Sequence, residues 1–166
     1  PPPKSPAILG QKDEAFQQNV LAVTKGQKLI IQNNDKISHN IFSNSPAKIF
    51  DLGLFAPGEN QDIKFNKTGV VQVYCNIHPD MASTVLVLPN ALHAGTDKNG
   101  KYKISNIPAG KYKIFAWHPL GRPKSKKIVI KDGDQLNINW ELEITRTKTP
   151  HKNKKGRDYK KGRRKY

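Results

Sequence analysis

The sequence predicts an all-β protein. Short β-branched and apolar runs recur along the chain, with polar turn residues between them. Several of these runs alternate apolar and polar residues with the period of a half-buried strand. No stretch keeps the 3.6-residue apolar period of an amphipathic helix. No apolar run reaches the ~18 residues that a membrane-crossing helix needs.

Residues 20–24 and 27–32 are short apolar or alternating runs on either side of the turn pair Lys25-Gly26. Residues 39–43 form a β-favouring stretch after the polar loop Asn33-Asn34-Asp35. Residues 61–65 alternate Ile63 and Phe65 with polar neighbours, and residues 70–75 and 84–88 are β-branched and apolar. Strands this short and this closely spaced suggest a sandwich or barrel. Residues 13–20 are expected to hold one helical turn. Pro89-Asn90 punctuates the chain, and a second strand pattern follows. Tyr102 and Ile104 alternate with lysines, as do Tyr112, Ile114 and Ala116. Residues 128–130 come next. Leu136, Ile138, Trp140, Leu142 and Ile144 then fall on one face of a period-2 run. From Thr145 onward the apolar residues stop.

The chain has 166 residues, room for one ordinary domain or two small ones. Hydrophobic residues make up only 36%, low enough to imply that part of the chain is a solvated tail. The formal net charge is +16, unevenly spread. Residues 1–89 hold 8 Lys/Arg against 7 Asp/Glu, residues 90–145 hold 10 against 5, and residues 146–166 hold 11 against 1. A basic balance suggests nucleic acid as a partner, but this distribution confines that question to the tail. Three divisions result: 1–89, 90–145, and a polybasic tail over 146–166 that cannot bury enough surface to fold alone. No signal peptide is visible, and the opening Pro1-Pro2-Pro3 reads as a processed or trimmed N-terminus.

The one cysteine excludes an internal disulfide. It opens the segment Cys75-Asn76-Ile77-His78-Pro79-Asp80-Met81, of the form C-x2-H-x2-M, directly after a strand-like run. A tight loop between two strands brings thiolate, imidazole and thioether to one metal. His39, far upstream in Ile37-Ser38-His39-Asn40-Ile41-Phe42-Ser43, is the other candidate ligand. Two histidines and a cysteine in a plane, with Met81 as a weak axial ligand, select copper and suit electron transfer. Other readings stay open for each residue. Met81 alone could be plain core, and His78 before a proline could be a surface turn residue. Zinc would need a stronger fourth ligand than a thioether, with Asp80 as a candidate. A catalytic Cys–His dyad has no need of the methionine.

Residues 7–89 resemble the cupredoxins, in particular amicyanin and plastocyanin-like proteins with a short ligand loop. The matching residues are His39-Asn40, Cys75-x2-His78-x2-Met81 and the preceding run from Gly69 to Cys75. The resemblance implies an eight-strand Greek-key sandwich, one mononuclear type 1 (blue) copper and one-electron transfer. It also implies that Asn40 pins the site, its backbone N–H directed at the Cys75 sulfur and its side chain tying the two ligand loops together. The stretch from Ser45 to Gly53, with the ligand loop, is similar to bacterial proteins labelled methylamine-utilisation or plastocyanin-like.

The pattern from Gly100 to Tyr112 contains the turn Asn106-Ile107-Pro108-Ala109-Gly110. It resembles carboxypeptidase regulatory-like domains, small transthyretin/Ig-like β-sandwiches, over residues 90–145. Such domains carry no catalysis. His118 and Trp117 are expected to pack where the two domains join; a second metal site of His93 and His118 is the rival reading. His151, in the tail, has no identifiable partner.

Two functions compete. The first is a redox carrier working with another redox protein, such as a c-type cytochrome. The second is a structural or copper-delivery subunit. An enzyme is disfavoured, because a type 1 site is saturated by protein ligands. The resemblance implies a periplasmic or otherwise extracytoplasmic location. The tail is expected to dock on an acidic subunit of a larger complex, with an anionic membrane surface as the alternative and nucleic acid set aside. On that reading, removing the tail leaves the copper spectrum unchanged.

Overall fold

The computed structural model describes residues 1–159. Among them are eleven strands in three sheets and no helix. The chain divides into two compact units. The first comprises residues 1–95 and the tail from Pro150; the second is Thr96–Thr149.

The first unit holds two sheets. One has the order β2-β1-β4-β7, built from β1 (Ala7–Lys12), β2 (Ala15–Phe16), β4 (Lys28–Asn33) and β7 (Asn60–Lys64). The other has the order β3-β9-β8-β5-β6, from β3 (Val20–Thr24), β5 (His39–Ser45), β6 (Lys48–Phe55), β8 (Gly69–Cys75) and β9 (Ala82–Leu88). β1 runs parallel to β4 and β3 parallel to β9; the other pairs are antiparallel. The crossovers fit a Greek-key sandwich.

The period-2 pattern explains the core. In β4, Leu29 and Ile31 are buried while Lys28 is exposed; in β8, Val71, Val73 and Cys75 are buried. These residues join Leu9, Ile41, Phe55, Phe65 and Val85 in one cluster contributed by both sheets. Each such side chain, fully buried, stabilises the fold by roughly 1.5–3 kcal/mol. β5 differs, because its residues from His39 to Ser43 are all buried. Ile41 enters the shared core, whereas Phe42 lies outside that cluster and is still only 1% exposed.

The helical turn expected over residues 13–20 is absent. Lys12 pairs with Ala15, so Asp13 and Glu14 form a two-residue hairpin turn. Both have positive φ, 53° and 58°. That is the geometry of a type I′ turn, which matches the twist of the flanking strands.

In the second unit, β10 (Gly110–Ala116) pairs antiparallel with β11 (Lys124–Ile130). The small sandwich expected here corresponds to this two-stranded sheet alone. Residues 136–143 form no ladder, and Ile144 makes one isolated bridge to Gly121. Side chains hold the segment instead. Tyr102 Oη donates to the Ile138 carbonyl at 2.7 Å, Trp140 Nε1 donates to Tyr102 Oη at 3.1 Å, and Lys126 Nζ lies 4.8 Å from the Trp140 ring centre. No residue of this unit is buried. A period-2 pattern says which face would be covered, not whether a partner strand arrives. His118 lies in this unit, where its Nδ1 accepts the Leu120 N–H; His93 lies in the first, 3.1 Å from Thr24 Oγ1.

Candidate metal centre

β8 ends at Cys75, and the chain returns through a short loop to β9. The loop closes on itself, with Cys75 N–H donating to the Met81 carbonyl and Met81 N–H to the His78 carbonyl. Cys75 and His78 thus share one turn at the mouth of the sandwich. His39 opens β5, the neighbour of β8, with Ile41 opposite Cys75 in the ladder. Donor atoms of His39, Cys75 and His78 all lie within 4.8 Å of one another.

The orientation is informative. His39 Nδ1 is 3.7 Å and His78 Nδ1 is 3.6 Å from Cys75 Sγ. Each Nε2 faces a carboxylate: His39 to Asp35 at 3.1 Å, and His78 to Glu14 at 3.5 Å. Outer carboxylates of this kind fix a ligand ring's orientation and raise its basicity. The two are linked, because Asp35 Oδ2 also accepts the Glu14 N–H at 2.7 Å. That N–H, with the Lys36 N–H and His39, outweighs partial burial and holds the Asp35 carboxyl below its ordinary range. The left-handed Asp13-Glu14 turn therefore has a use: it delivers Glu14 to His78.

His39 and Cys75 are fully buried and Met81 is 2% exposed, whereas the His78 side chain is 20% exposed. Sequence reasoning had placed all four in one site. It missed Asp35, whose only signal is its i,i+4 relation to His39, and Glu14, which has none.

Asn40 works differently from the expectation. Its side chain goes to β6, where Nδ2 donates to Asp51 Oδ1 and to the Gly53 carbonyl, both at 2.8 Å. The loop is tied by its backbone, since the Asn40 carbonyl accepts the Asn76 N–H at 2.8 Å. The β5–β6 register shifts between Asn40 and Phe42, so Leu52 and Gly53 oppose Ile41. Gly53 has φ of 69°, the left-handed conformation that suits such a bulge.

His151 does have partners. Its ring stacks on Tyr74 with centroids 4.3 Å apart, its backbone N–H donates to the Pro79 carbonyl, and its Nε2 lies 3.1 Å from the His78 carbonyl. Of the expected tail, residues 150–159 therefore pack within the metal-site unit, residues 146–149 belong to the second unit, and the remainder lies outside the described residues.

A thiolate, two imidazoles and a buried thioether in one loop-and-strand arrangement fit a single copper ion, the donor set of a blue-copper protein. The comparisons agree. Residues 8–88 match the family model for copper binding proteins of the plastocyanin/azurin family. These residues, just under half of the chain, match that copper-binding model, and His39, Cys75, His78 and Met81 are positioned for one type 1 copper. No curated protein sequence matches the chain. Among solved structures, the chain is similar to a purple cupredoxin from Nitrosopumilus maritimus, with 22% identity and a TM-score of 0.45 over 49% of this chain and 99% of that one. It is also similar to a copper-containing nitrite reductase from Thermus scotoductus SA-01, with 21% identity and a TM-score of 0.49 over 52% of this chain and 23% of that one. A reduced amicyanin variant matches at 16% identity with a TM-score of 0.48, over 52% and 85% of the two chains.

Proposed function

We propose that the protein is a carrier of single electrons, in which His39, Cys75, His78 and Met81 would hold the copper. The observation that carries this reading is the burial pattern: three donor atoms converge within 4.8 Å, and only His78 among the four residues reaches the surface. Bound copper supplies the chemistry by alternating between Cu(II) and Cu(I). The chain's part is to hold the donors in one arrangement suited to both states, which keeps reorganisation small. Buried His39 and Cys75 exclude water, and the outer carboxylates fix both rings.

His78 is the port. Ile77, beside it, is 46% exposed and offers an apolar contact for a brief redox encounter. The partner is an acidic redox protein, such as a c-type cytochrome. Residues 1–89 are nearly neutral, but the packed tail adds Lys152, Lys154, Lys155 and Arg157 to the same unit against Asp158. Such a patch steers an acidic partner, and its effect falls with salt. The setting is extracytoplasmic, a reading that rests on the family.

Ile77→Glu tests the port. Electron exchange with an acidic cytochrome is expected to slow about tenfold or more, as rim charges act mainly on association, while the copper spectrum stays as in the wild type. Unchanged exchange rates across a salt series would place the port elsewhere.

A further inference from the structure

The composition of the tail suggests a solvated chain, yet its described part is bonded to the ligand loop residue by residue. Tyr159 Oη donates to the Cys75 carbonyl at 2.7 Å. Lys154 N–H donates to Asn76 Oδ1 at 3.0 Å. His151 backbone N–H donates to the Pro79 carbonyl at 3.2 Å, and its ring lies between two carbonyls, Nε2 3.1 Å from that of His78 and Nδ1 2.8 Å from that of Lys152. The segment keeps its own shape. Asn153 Oδ1 accepts the N–H groups of Lys155 and Arg157, and Asn153 N–H donates to the Arg157 carbonyl. Gly156, at φ of 73°, makes the reversal. The turn brings His151 and Tyr159 together edge to face, with centroids 5.5 Å apart.

The same segment reaches the strands that carry the other ligand. Lys154 Nζ is 2.6 Å from Asp51 Oδ2, and the other Asp51 oxygen accepts from Asn40, the neighbour of His39. Phe42, on the outer face of β5, lies 5.8 Å from Tyr74 and 6.2 Å from His151, ring centre to ring centre. The burial of β5 on both faces thus includes a contribution from the tail.

We propose that residues 151–159 are a strap belonging to the metal site, which holds the ligand loop in its binding shape before metal arrives. His151 and Tyr159 are its positioning residues. The Cys75 carbonyl, without the Tyr159 hydroxyl, must find water or move, and either change loosens the loop around the thiol. Preorganisation of the loop restricts the geometry available to the metal in both oxidation states. The proposal draws its purpose from the copper reading above, but its first test contains no copper. On this proposal, removing the tail is expected to change the copper spectrum, the opposite of what a solvated tail implies.

The test uses the metal-free full chain and a thiol reagent. Cys75 is the only cysteine, so its modification rate reports the loop alone. Tyr159→Phe is expected to raise that rate about fivefold, as for one lost hydrogen bond. His151→Phe keeps a ring against Tyr74 but loses the polar contact to the His78 carbonyl, and is expected to act in the same direction. Lys155→Ala, at an exposed position with no bond to the loop, serves as control and is expected to match the wild type. In the copper-loaded protein, Tyr159→Phe is expected to shift both the visible band and the reduction potential, which a purely supporting role far from the site would not do. Wild-type thiol reactivity and spectra in both variants would overturn the strap. A protected thiol in a protein that binds copper without strong colour would instead overturn the carrier reading and leave the strap standing.

Discussion

Cys75→Ser is expected to abolish the intense visible absorption of the copper-loaded protein. That absorption arises from charge transfer between a thiolate and copper, and serine offers only a hard oxygen donor. The chain has one cysteine and one methionine, so Met81 is the only other sulfur that can bind. A thioether gives no comparable colour. Met81→Leu is the contrast: the weak axial ligand tunes more than it holds, so colour and copper are expected to persist with a shifted potential. Absorption spectra of the two variants at matched copper content decide the matter. Strong colour in Cys75→Ser would refute the ligand assignment.

Phe55→Ala is expected to have the largest effect on stability. Phe55 ends β6, is 1% exposed, and lies opposite His39 in the ladder. Its carbonyl also accepts from buried Asn33 Nδ2 at 3.2 Å. Removing a buried aromatic ring leaves a cavity and costs about 3–5 kcal/mol, against typical total stabilities of roughly 5–15 kcal/mol. Its neighbour Leu54 is 67% exposed, so Leu54→Ala is expected to change stability by no more than about 0.5 kcal/mol. Denaturant unfolding of the metal-free proteins measures both. Equal losses would mean that the core is not where the sheets place it.

The ligand loop was legible because its chemistry is local: three donors in seven residues after a strand leave few other uses. His39 was a candidate because the donor set asks for a second imidazole, and the resemblance then supported a pairing that spacing does not encode. The strands β4 and β8 showed themselves as a short apolar or alternating run and as a β-branched apolar run. β1 did not, because Ala7–Lys12 pairs parallel with β4, far along the chain, and its hairpin to β2 turns on Asp13-Glu14, which carries no glycine to mark it. β6 was obscured by its bulge at Gly53, which interrupts the period. The Asp13-Glu14 turn places two non-glycine residues in the left-handed region, where Asp35 Oδ2 accepts the Glu14 N–H at 2.7 Å.

The tail was the largest surprise. Its lysines and arginines dominate the composition and suggest a solvated segment, while the anchors are a histidine, an asparagine turn and a tyrosine dispersed among them. The acceptors they satisfy are backbone carbonyls of the loop, which sequence does not display. Burial lifts the Tyr159 hydroxyl to about 12, and the nearby Cys75 adds to it. The hydroxyl therefore keeps its proton, and its bond to the Cys75 carbonyl, at any neutral pH. The adjacent pair Ile41-Phe42 held one hint: two large apolar residues on opposite faces of one strand ask for cover on both sides.

The most direct test of the carrier reading is reversible one-electron reduction of the copper-loaded protein, followed by visible absorption and copper analysis. The account requires one copper per chain. It also requires an intense visible band that bleaches on taking up one electron and returns in full on reoxidation, with the metal retained throughout. A copper-loaded protein that is colourless, or that releases its metal on reduction, would contradict it.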